Sequence, residues 1–163
     1  VQKAGTACSR LSEVRKEYSH QLEEKVIQGL KDLNFLDVQF AITFSRRSSF
    51  TENGYDEIQY EISTNPGETV KELSKVVSGG ELSRIMLAIK AVMADKDEIE
   101  TLIFDEIDVG ISGRTAQKVS EKMALIGKEH QVICITHLAQ IAAMADAHFY
   151  ISKETKNNKT LHY

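Results

Sequence analysis

The sequence is poor in the features that mark secreted, disulfide-bonded or membrane proteins. Its 163 residues include two cysteines, Cys8 and Cys134, which lie far apart and form neither a disulfide framework nor a C-x-x-C metal motif. Such cysteine usage is typical of a reducing cytosol. No apolar run reaches the roughly 18 residues of a membrane span, and the first residues lack the layout of a signal peptide. Membrane insertion and secretion are therefore disfavoured.

An excess of basic residues is also missing. Lys and Arg number 20 against 24 Asp and Glu, which gives a formal net charge of -4. A dedicated DNA-binding surface would carry more Lys and Arg, so any contact with nucleic acid must be local or supplied by a partner. Arg46 and Arg47 in a polar loop are candidates for such a contact, although a two-residue basic cluster is more often only solvated.

Length and composition indicate a single globular domain. A chain of 163 residues can form a core that folds unaided, and 42% hydrophobic with 27% charged residues is ordinary for a globular domain. The chain opens at Val1 and ends at Tyr163 within a strand-like pattern. We therefore expect a fragment cut from a longer protein.

Residues 1–36 are expected to form one long amphipathic helix, and residues 37–163 the globular part. Apolar residues recur at steps of three and four with charged residues between them, at Leu11, Val14, Tyr18, Leu22, Val26, Leu30 and Leu33. Two interpretations stay open. The helix lies on its own domain, or it is the end of a coiled coil that enters a globular head.

A change to period two predicts an antiparallel hairpin after the helix. The first run holds Val38, Phe40, Ile42 and Phe44, and the second holds Ile58, Tyr60 and Ile62. Between them lies the polar loop "SRRSSFTENG", which ends in the turn signal Asn53-Gly54. Asn65-Pro66-Gly67 predicts a further turn.

From Ser78 onward, helical patterns alternate with apolar strands. Helices are predicted over about 80–95, 113–128 and 138–146, and strands at "TLIFD", "QVICIT" and "HFYIS". This order predicts an α/β fold with a mostly parallel sheet, flanked by helices that cover both faces. The last residues, "KETKNNKTLHY", predict a hairpin that turns at Asn157-Asn158.

Two of these strands end in residues that are able to do chemistry. Asp105 and Glu106 follow "TLIF", and Thr136 and His137 follow "QVICI". If the two strands are parallel neighbours, their carboxyl ends meet at the crevice where open α/β sheets bind ligands. In nucleotide hydrolysis one carboxylate holds Mg²⁺ through water and the next activates the attacking water. Taken alone, an apolar run followed by two acids is a weak signal, since such acids more often only cap the following loop.

The run "SGGEL", residues 78–82, opens a strongly apolar helix. Ser78 followed three residues later by Glu81 fits a capping box. A cap does not explain Gly79 and Gly80, because each glycine costs about 1 kcal/mol in a helix relative to alanine. A helix N-terminus with free N–H groups and no side chains is suited to bind an anion, phosphate above all. The run is thus either a helix cap or a place where a phosphate approaches closely.

In combination, these motifs resemble those of ABC-type ATPases. "SGGEL", "LIFDE", Asp108 and "TH" occur in the order of that superfamily's signature motif, Walker B motif, D-loop and switch histidine. Position 81 carries Glu, whereas transporters usually carry Gln there. In this respect the sequence resembles the SMC and Rad50-like branch. The text from "NPGE" to "THLAQIAAMAD", within residues 55–155, resembles the C-terminal part of the RecN family of bacterial DNA-repair proteins. The fold implied is half of an ABC/SMC-type P-loop NTPase head, with the first helix as the end of a coiled coil.

The resemblance implies a role for each candidate residue. Asp105 would help to hold Mg²⁺ through water, Glu106 would be the catalytic base, and His137 would sense the γ-phosphate. The residues that would contact the ATP of an opposite head, in trans, are Ser78, Gly79, Gly80, Glu81 and Asp108.

The implied function is ATP hydrolysis in double-strand break repair and recombination of DNA, with ATP and Mg²⁺ as cofactors. The implied partners are a second head in a homodimer and, through the full-length protein, DNA. The implied location is the cytoplasm, at the nucleoid, with no membrane contact.

The resemblance has one large gap. No G-x-x-x-x-G-K-[S/T] motif occurs in the chain, since Gly127-Lys128 is followed by Glu129 and has Lys122 where the first glycine belongs. In the family, this phosphate-binding Walker A loop lies near the N-terminus of the full protein, in the other lobe of the head. We therefore expect the chain to need that lobe as a partner, to hydrolyse ATP poorly or not at all alone, and to expose enough apolar surface for weak self-association.

Two other functions are compatible with parts of the pattern. A nucleotide-binding domain of a transporter would predict Gln at the position of Glu81 and no coiled coil. A non-catalytic α/β interaction module would use "SGGEL" only as a helix cap. Arg84 and Arg114 contact nucleotide or an acid in one interpretation and are solvated in the other.

Overall fold

A computed structural model of the chain describes residues 2–76, 78–96, 98–156 and 159–162. The helices and strands, in chain order, are α1 Gln2–Asp32, β1 Gln39–Thr51, β2 Gly54–Ser63, β3 Lys71–Glu72, α2 Gly79–Met93, β4 Thr101–Phe104, α3 Gly113–Ile126, β5 Gln131–Cys134, α4 Ala139–Ala142, β6 Lys153–Lys156 and β7 Lys159–His162. Single 3₁₀ turns occupy Leu73–Lys75 and Ala94–Lys96. None of the helices in these ranges is both long and apolar enough to cross a bilayer.

The predicted hairpin is confirmed. β1 and β2 pair antiparallel with Phe40 opposite Ile62 and Phe44 opposite Ile58, and β3 adds a short third strand beside β2. Gly54 closes the hairpin with a φ of +94°, a conformation that glycine adopts without strain. The predicted turn after β2 is confirmed as well, because the Glu68 N–H donates to the Asn65 carbonyl oxygen at 3.3 Å.

The predicted parallel strands are neighbours. β4 and β5 pair in parallel from Thr101 opposite Gln131 to Phe104 opposite Cys134, so their carboxyl ends lie side by side. Alternate residues of this pair, Leu102, Phe104, Val132 and Cys134, pack toward the core.

The expectation that helices cover both faces of the sheet is wrong for this chain. The other face of β4 and of the β5 segment exposes Ile103, Ile133 and Ile135, and Ile103 is 66% accessible to solvent. We call these three side chains the open face. Within the described residues, helices pack on one face of this strand pair only. The apolar side chains on that face are buried, and those on the other face are exposed.

The predicted strand "HFYIS" is also absent from the structure. Residues 148–152 form no strand, and the Phe149 side chain is 93% exposed. A strand must hydrogen-bond to a neighbour, and no described strand lies beside this segment. The preceding helix α4 spans four residues rather than the predicted 138–146. The final hairpin, β6 with β7, is confirmed, while its turn at Asn157-Asn158 lies outside the described residues.

Helix α1 packs along its own domain. Its last turns bury Val26 and Leu30 in the core with residues of α2 and β1, and Leu33, directly after the helix, joins them. Its first turns lie against the hairpin through Ser12 and Arg15, both bonded to Asp56 on β2. The two ends of the predicted apolar row therefore differ in burial. The later residues are in the core, whereas the earlier ones, Leu11, Val14 and Tyr18, are exposed to solvent.

Asp56 fastens the hairpin to α1, and its removal should destabilise the fold. Its buried carboxylate accepts bonds from Ser12 Oγ at 2.8 Å and Arg15 Nη1 at 2.9 Å. Asp56→Ala is expected to lower the free energy of unfolding by about 1–3 kcal/mol at neutral pH, measured by chemical denaturation. Glu57→Ala, an exposed neighbour on the same strand, is the control and should change little.

The same variant carries a pH signature. Burial would raise the pKa of Asp56, but hydrogen bonds from Arg15 and Ser12 and the charge of Arg15 outweigh burial and hold this pKa below its usual value. The contribution of Asp56 is therefore present above the unfolded-state pKa and is lost as the pH falls through the lower, folded-state pKa. The stability gap between wild type and Asp56→Ala should close on acidification, and a gap that persists unchanged at low pH would contradict this assignment.

Candidate functional site

The residues singled out by the sequence lie together where β4 and β5 end. Asp105 and Glu106 follow β4, and His137 follows β5 by three residues. The first turns of α2 lie beside the loop that follows β4, since Ser83 Oγ donates to the Asp105 carbonyl oxygen at 2.6 Å. The strand ends and the "SGGEL" helix thus form one site within a single chain.

Ser78 caps α2 as predicted. It is the N-cap residue in an extended conformation, and its Oγ accepts a long hydrogen bond from the Glu81 backbone N–H at 3.4 Å. Ser78 and Gly79 are both exposed, whereas Gly80 is buried. The helix therefore presents its first residues to solvent while the next one enters the core.

The structure gives the two glycines a reason that sequence reasoning missed. A Cβ atom on Gly79 would overlap the Oε2 atom of Glu106, and a Cβ on Gly80 would lie 2.9 Å from the Glu106 carbonyl oxygen. That Cβ would also lie 3.1 Å from the Cβ of Val109. The bare backbone of α2 is required by the loop of its own chain, with or without a phosphate.

Glu106 occupies a backbone conformation that is unusual for its residue type. Its φ is +56°, in the left-handed region that costs a non-glycine residue on the order of 1 kcal/mol or more. The Asp105 carboxylate supports it by accepting the Glu106 N–H at 2.8 Å, and the Glu106 carbonyl accepts from Val109 N at 3.1 Å. These bonds fix the backbone of Glu106, and its carboxylate lies against the start of α2.

Arg84 joins α2 to the loop after β4, a contact that the sequence did not reveal. The side chain is buried, and its Nη1 donates to the carbonyl oxygens of Ile107 at 3.2 Å and Val109 at 2.8 Å. Burial lowers the pKa of this guanidinium, although the nearby charge of Glu81 opposes that change. The solvated alternative for Arg84 is therefore wrong. The signal was available, because Gly80, Arg84 and Ala88 recur every four residues on the buried face of α2.

Asp108 joins the two strand ends. Its Oδ2 accepts from Thr136 Oγ1 at 2.5 Å and from the His137 backbone N–H at 2.8 Å, and His137 Nδ1 lies 3.0 Å away. Burial would raise the pKa of Asp108, but the bonds from Thr136 and His137 hold it below its usual value. The suggestion that Asp108 reaches a second head stays a prediction, and in this structure its carboxylate is buried in its own chain.

The other candidates lie outside this cluster or carry no reactive group. Arg46 and Arg47 are on β1, where the Arg46 guanidinium lies 4.5 Å from the centre of the Tyr55 ring, and Arg114 is exposed at the start of α3. Both cysteines are free. Burial, with the charges of Asp108 and Asp105, raises the pKa of the Cys134 thiol to about 11, so it stays protonated and unreactive at neutral pH.

Asp105 fits a shared rather than a permanent metal site. Among the described residues, no three His, Cys, Asp or Glu side chains are grouped so that they could hold a metal ion. Asp105 is exposed, and its Oδ1 already accepts the Glu106 N–H. Mg²⁺ commonly uses one or two carboxylates and takes its remaining ligands from water and nucleotide phosphates. The residues present therefore suit a magnesium ion that arrives with a nucleotide.

Comparison with known proteins places the chain in a family, although no protein-family model matches it. DNA repair protein RecN of Halalkalibacterium halodurans is 46% identical over 148 residues, which cover 88% of this chain and 26% of that protein. The chain is a homologue of part of RecN. RecN of Bacillus subtilis is 42% identical over 167 residues, or 93% of this chain and 29% of that protein. The chain thus spans little more than a quarter of the length of these relatives.

Solved structures with the same fold are SMC head domains. The Smc head domain with a coiled coil and joint from Pyrococcus yayanosii matches with a TM-score of 0.60 at 18% identity, covering 92% of this chain and 27% of that one. The Smc head domain with an extended coiled coil from Pyrococcus furiosus matches with a TM-score of 0.59 at 19% identity, covering 92% and 35%. The predicted α/β head-lobe fold is confirmed.

The packing of Glu106 on the glycines predicts distinct effects of adding a methyl group. Gly80→Ala places the methyl against a backbone carbonyl and should lower the free energy of unfolding by about 1–3 kcal/mol. Gly79→Ala meets only the movable end of a side chain, so it should displace the Glu106 carboxylate at a smaller cost. Chemical denaturation measures both.

Gly29→Ala is the matched control, since a Cβ there would lie at an ordinary 3.6 Å from the Cβ of Ala88. It should leave stability unchanged or raise it by up to about 1 kcal/mol through helix propensity. Equal stabilities for the Gly80 and Gly29 variants would show that the loop after β4 does not press on α2.

Proposed function

We propose that this chain is the C-terminal lobe of an SMC-like ATPase head that acts in DNA double-strand break repair and recombination. The observation that carries the proposal is the convergence of Asp105, Glu106 and His137 with the first turn of α2 at one edge of a parallel strand pair. The RecN relatives, named as DNA repair proteins, and the SMC head fold support the biological setting. The full protein hydrolyses ATP, and this lobe supplies part of each site.

Glu106 is the catalytic base in this proposal. Its carboxylate is exposed at the carboxyl end of β4, where an attacking water can be oriented and deprotonated. Asp105 is the residue that would help to hold Mg²⁺, and that ion would neutralise charge on the phosphates when it is bound with ATP. His137 carries an exposed ring after the end of the neighbouring strand β5, and in this proposal it contacts the γ-phosphate.

The first turn of α2 serves a second head. Ser78, Gly79, Gly80 and Glu81 form a helix N-terminus, which favours a phosphate through the helix dipole and through N–H groups other than that of Glu81, which Ser78 caps. Ser78 and Gly79 are exposed in a manner that supports this role. The carboxylate of Glu106 lies on Gly79, so it must move aside before a phosphate of an opposite head binds there. Asp108 would reach that interface only if the loop after β4 rearranged.

The N-terminal, Walker A lobe of the head covers the open face. The chain lacks a G-x-x-x-x-G-K-[S/T] loop, and the phosphate-binding backbone and lysine must come from elsewhere. Ile103, Ile133 and Ile135 form an exposed apolar strip on paired strands, which a partner lobe would bury.

We further propose that residues 1–36 are the end of a coiled coil and residues 37–163 the lobe itself. Leu11, Val14 and Tyr18 face solvent at steps of three and four, the spacing of a coiled-coil seam. DNA is then contacted by the full-length protein in the cytoplasm, at the nucleoid.

Reconstitution of the head tests the proposed activity. The chain alone is expected to release no phosphate from Mg²⁺–ATP above background, and the mixture with the Walker A lobe is expected to hydrolyse ATP. Glu106→Gln should reduce that rate by about 100-fold or more and retain ATP binding, because it removes the base and not the nucleotide contacts. Steady-state phosphate release and nucleotide binding are the measurements.

Glu121→Gln is the control, because Glu121 lies on the surface of α3 and pairs with Lys118. It should leave the rate unchanged. No hydrolysis in a mixture whose two lobes demonstrably associate would favour the non-catalytic interaction module, in which "SGGEL" is a helix cap only.

The open face yields a separate prediction about assembly. Ile103→Asp places a charge in the proposed contact and should weaken binding to the Walker A lobe by about tenfold or more. Leu125→Asp is the matched control, because Leu125 is a similarly exposed apolar residue on α3 and not on the strands. Titration calorimetry with the separate lobe measures both, and equal affinities of the two variants would place the contact elsewhere.

A further inference from the structure

The buried carboxylate of Asp108 contacts His137, which follows β5. The Asp108 side chain is 4% exposed, while the His137 side chain is 74% exposed. The Oδ2 atom of Asp108 accepts from the His137 backbone N–H at 2.8 Å and lies 3.0 Å from His137 Nδ1. Asp108 therefore holds the backbone of His137 by a hydrogen bond and places a negative charge beside Nδ1, while most of the ring lies in solvent.

This contact selects the tautomer of the imidazole. An ionised carboxylate offers only acceptor oxygens, so at a separation of 3.0 Å a hydrogen on Nδ1 of His137 is favoured over a lone pair, which the negative charge would repel. The neutral ring then has its lone pair on Nε2, and the protonated ring has an N–H there. In both cases Nε2 is turned away from Asp108 and toward the exposed side of the ring.

We propose that Asp108 is the positioning residue for His137, holding the ring in its Nδ1–H form so that Nε2 points to the phosphate end of a nucleotide. The proposal deepens the ATPase function stated above and rests on it. A carboxylate that orients a histidine in this way sets its tautomer without taking the proton itself. Asp108 thus acts through His137 and within its own chain.

A substitution at Thr136 can distinguish this positioning role of Asp108 from a purely structural one. Its Oγ1 donates to the same Asp108 oxygen at 2.5 Å and accepts from the Leu138 N–H at 3.1 Å. Thr136→Val removes two hydrogen bonds of the same joint and leaves the contact between Asp108 and the His137 ring in place. It is therefore a matched control for the loss of packing and bonding around Asp108.

A double-mutant cycle in the intact protein measures the coupling. Asp108→Ala is expected to lower kcat for ATP by about tenfold or more and to change KM by less than about threefold. In a His137→Ala background the same change should lower kcat by less than about twofold, because the residue through which Asp108 acts is gone. Thr136→Val should lower kcat by less than about threefold.

Nitrogen NMR of the histidine ring gives a readout that does not need ATPase activity. In the intact protein labelled with ¹⁵N-histidine, the ring signals that disappear in His137→Ala identify His137. The wild type and Thr136→Val should show the Nδ1–H form, and Asp108→Ala should shift the neutral ring toward the Nε2–H form. If Asp108→Ala does not fold, Asp108→Asn, which keeps the shape, carries the same kinetic cycle.

Two results would overturn the proposal. One is an equal loss of kcat from the Asp108 substitution with and without His137, which would make Asp108 a structural joint. The other is an Nε2–H ring in the wild type. An intact protein with no ATPase activity would refute the proposed function separately, while the NMR result would still decide whether Asp108 sets the ring.

Discussion

The packing of the loop after β4 on the first turns of α2 is the constraint on which the rest of the site depends. The loop turns several backbone carbonyls toward α2, whose side chains supply donors for them. Ser83 supplies one for Asp105, and Arg84 supplies two more for Ile107 and Val109. The fit is close enough that the position of Gly80 admits no side chain. Loop and helix therefore behave as one unit.

That unit sets the conformation of Glu106. A residue at a φ of +56° keeps this backbone only when its surroundings determine it, and here the Asp105 side chain, the Val109 N–H and the bare surface of α2 do so. The proposed base is thus held on the helix that is proposed to meet a second nucleotide. A shift of α2 would change the space beside Gly79 that the carboxylate of Glu106 occupies.

A second joint depends on the register of the parallel strands. Phe104 lies opposite Cys134, and the Ile135 N–H donates to the Phe104 carbonyl oxygen at 3.0 Å, so the two following loops start level with each other. Asp108 can then reach His137 across the gap. The same strand pair leaves its other face bare at Ile103, which is the state expected of a lobe whose partner supplies the second layer.

The sequence by itself determined the helix after Ser78, the parallel strands, and the meeting of Asp105, Glu106 and His137, because these follow from periodicity and from where strands end. The sequence wrongly predicted a strand at residues 148–152, because an apolar pattern does not show whether a neighbouring strand is present to pair with it. Only the tertiary structure decided that Gly79 and Gly80 accommodate Glu106. Contacts between residues more than twenty positions apart depend on how elements pack, and local periodicity carries no record of that packing.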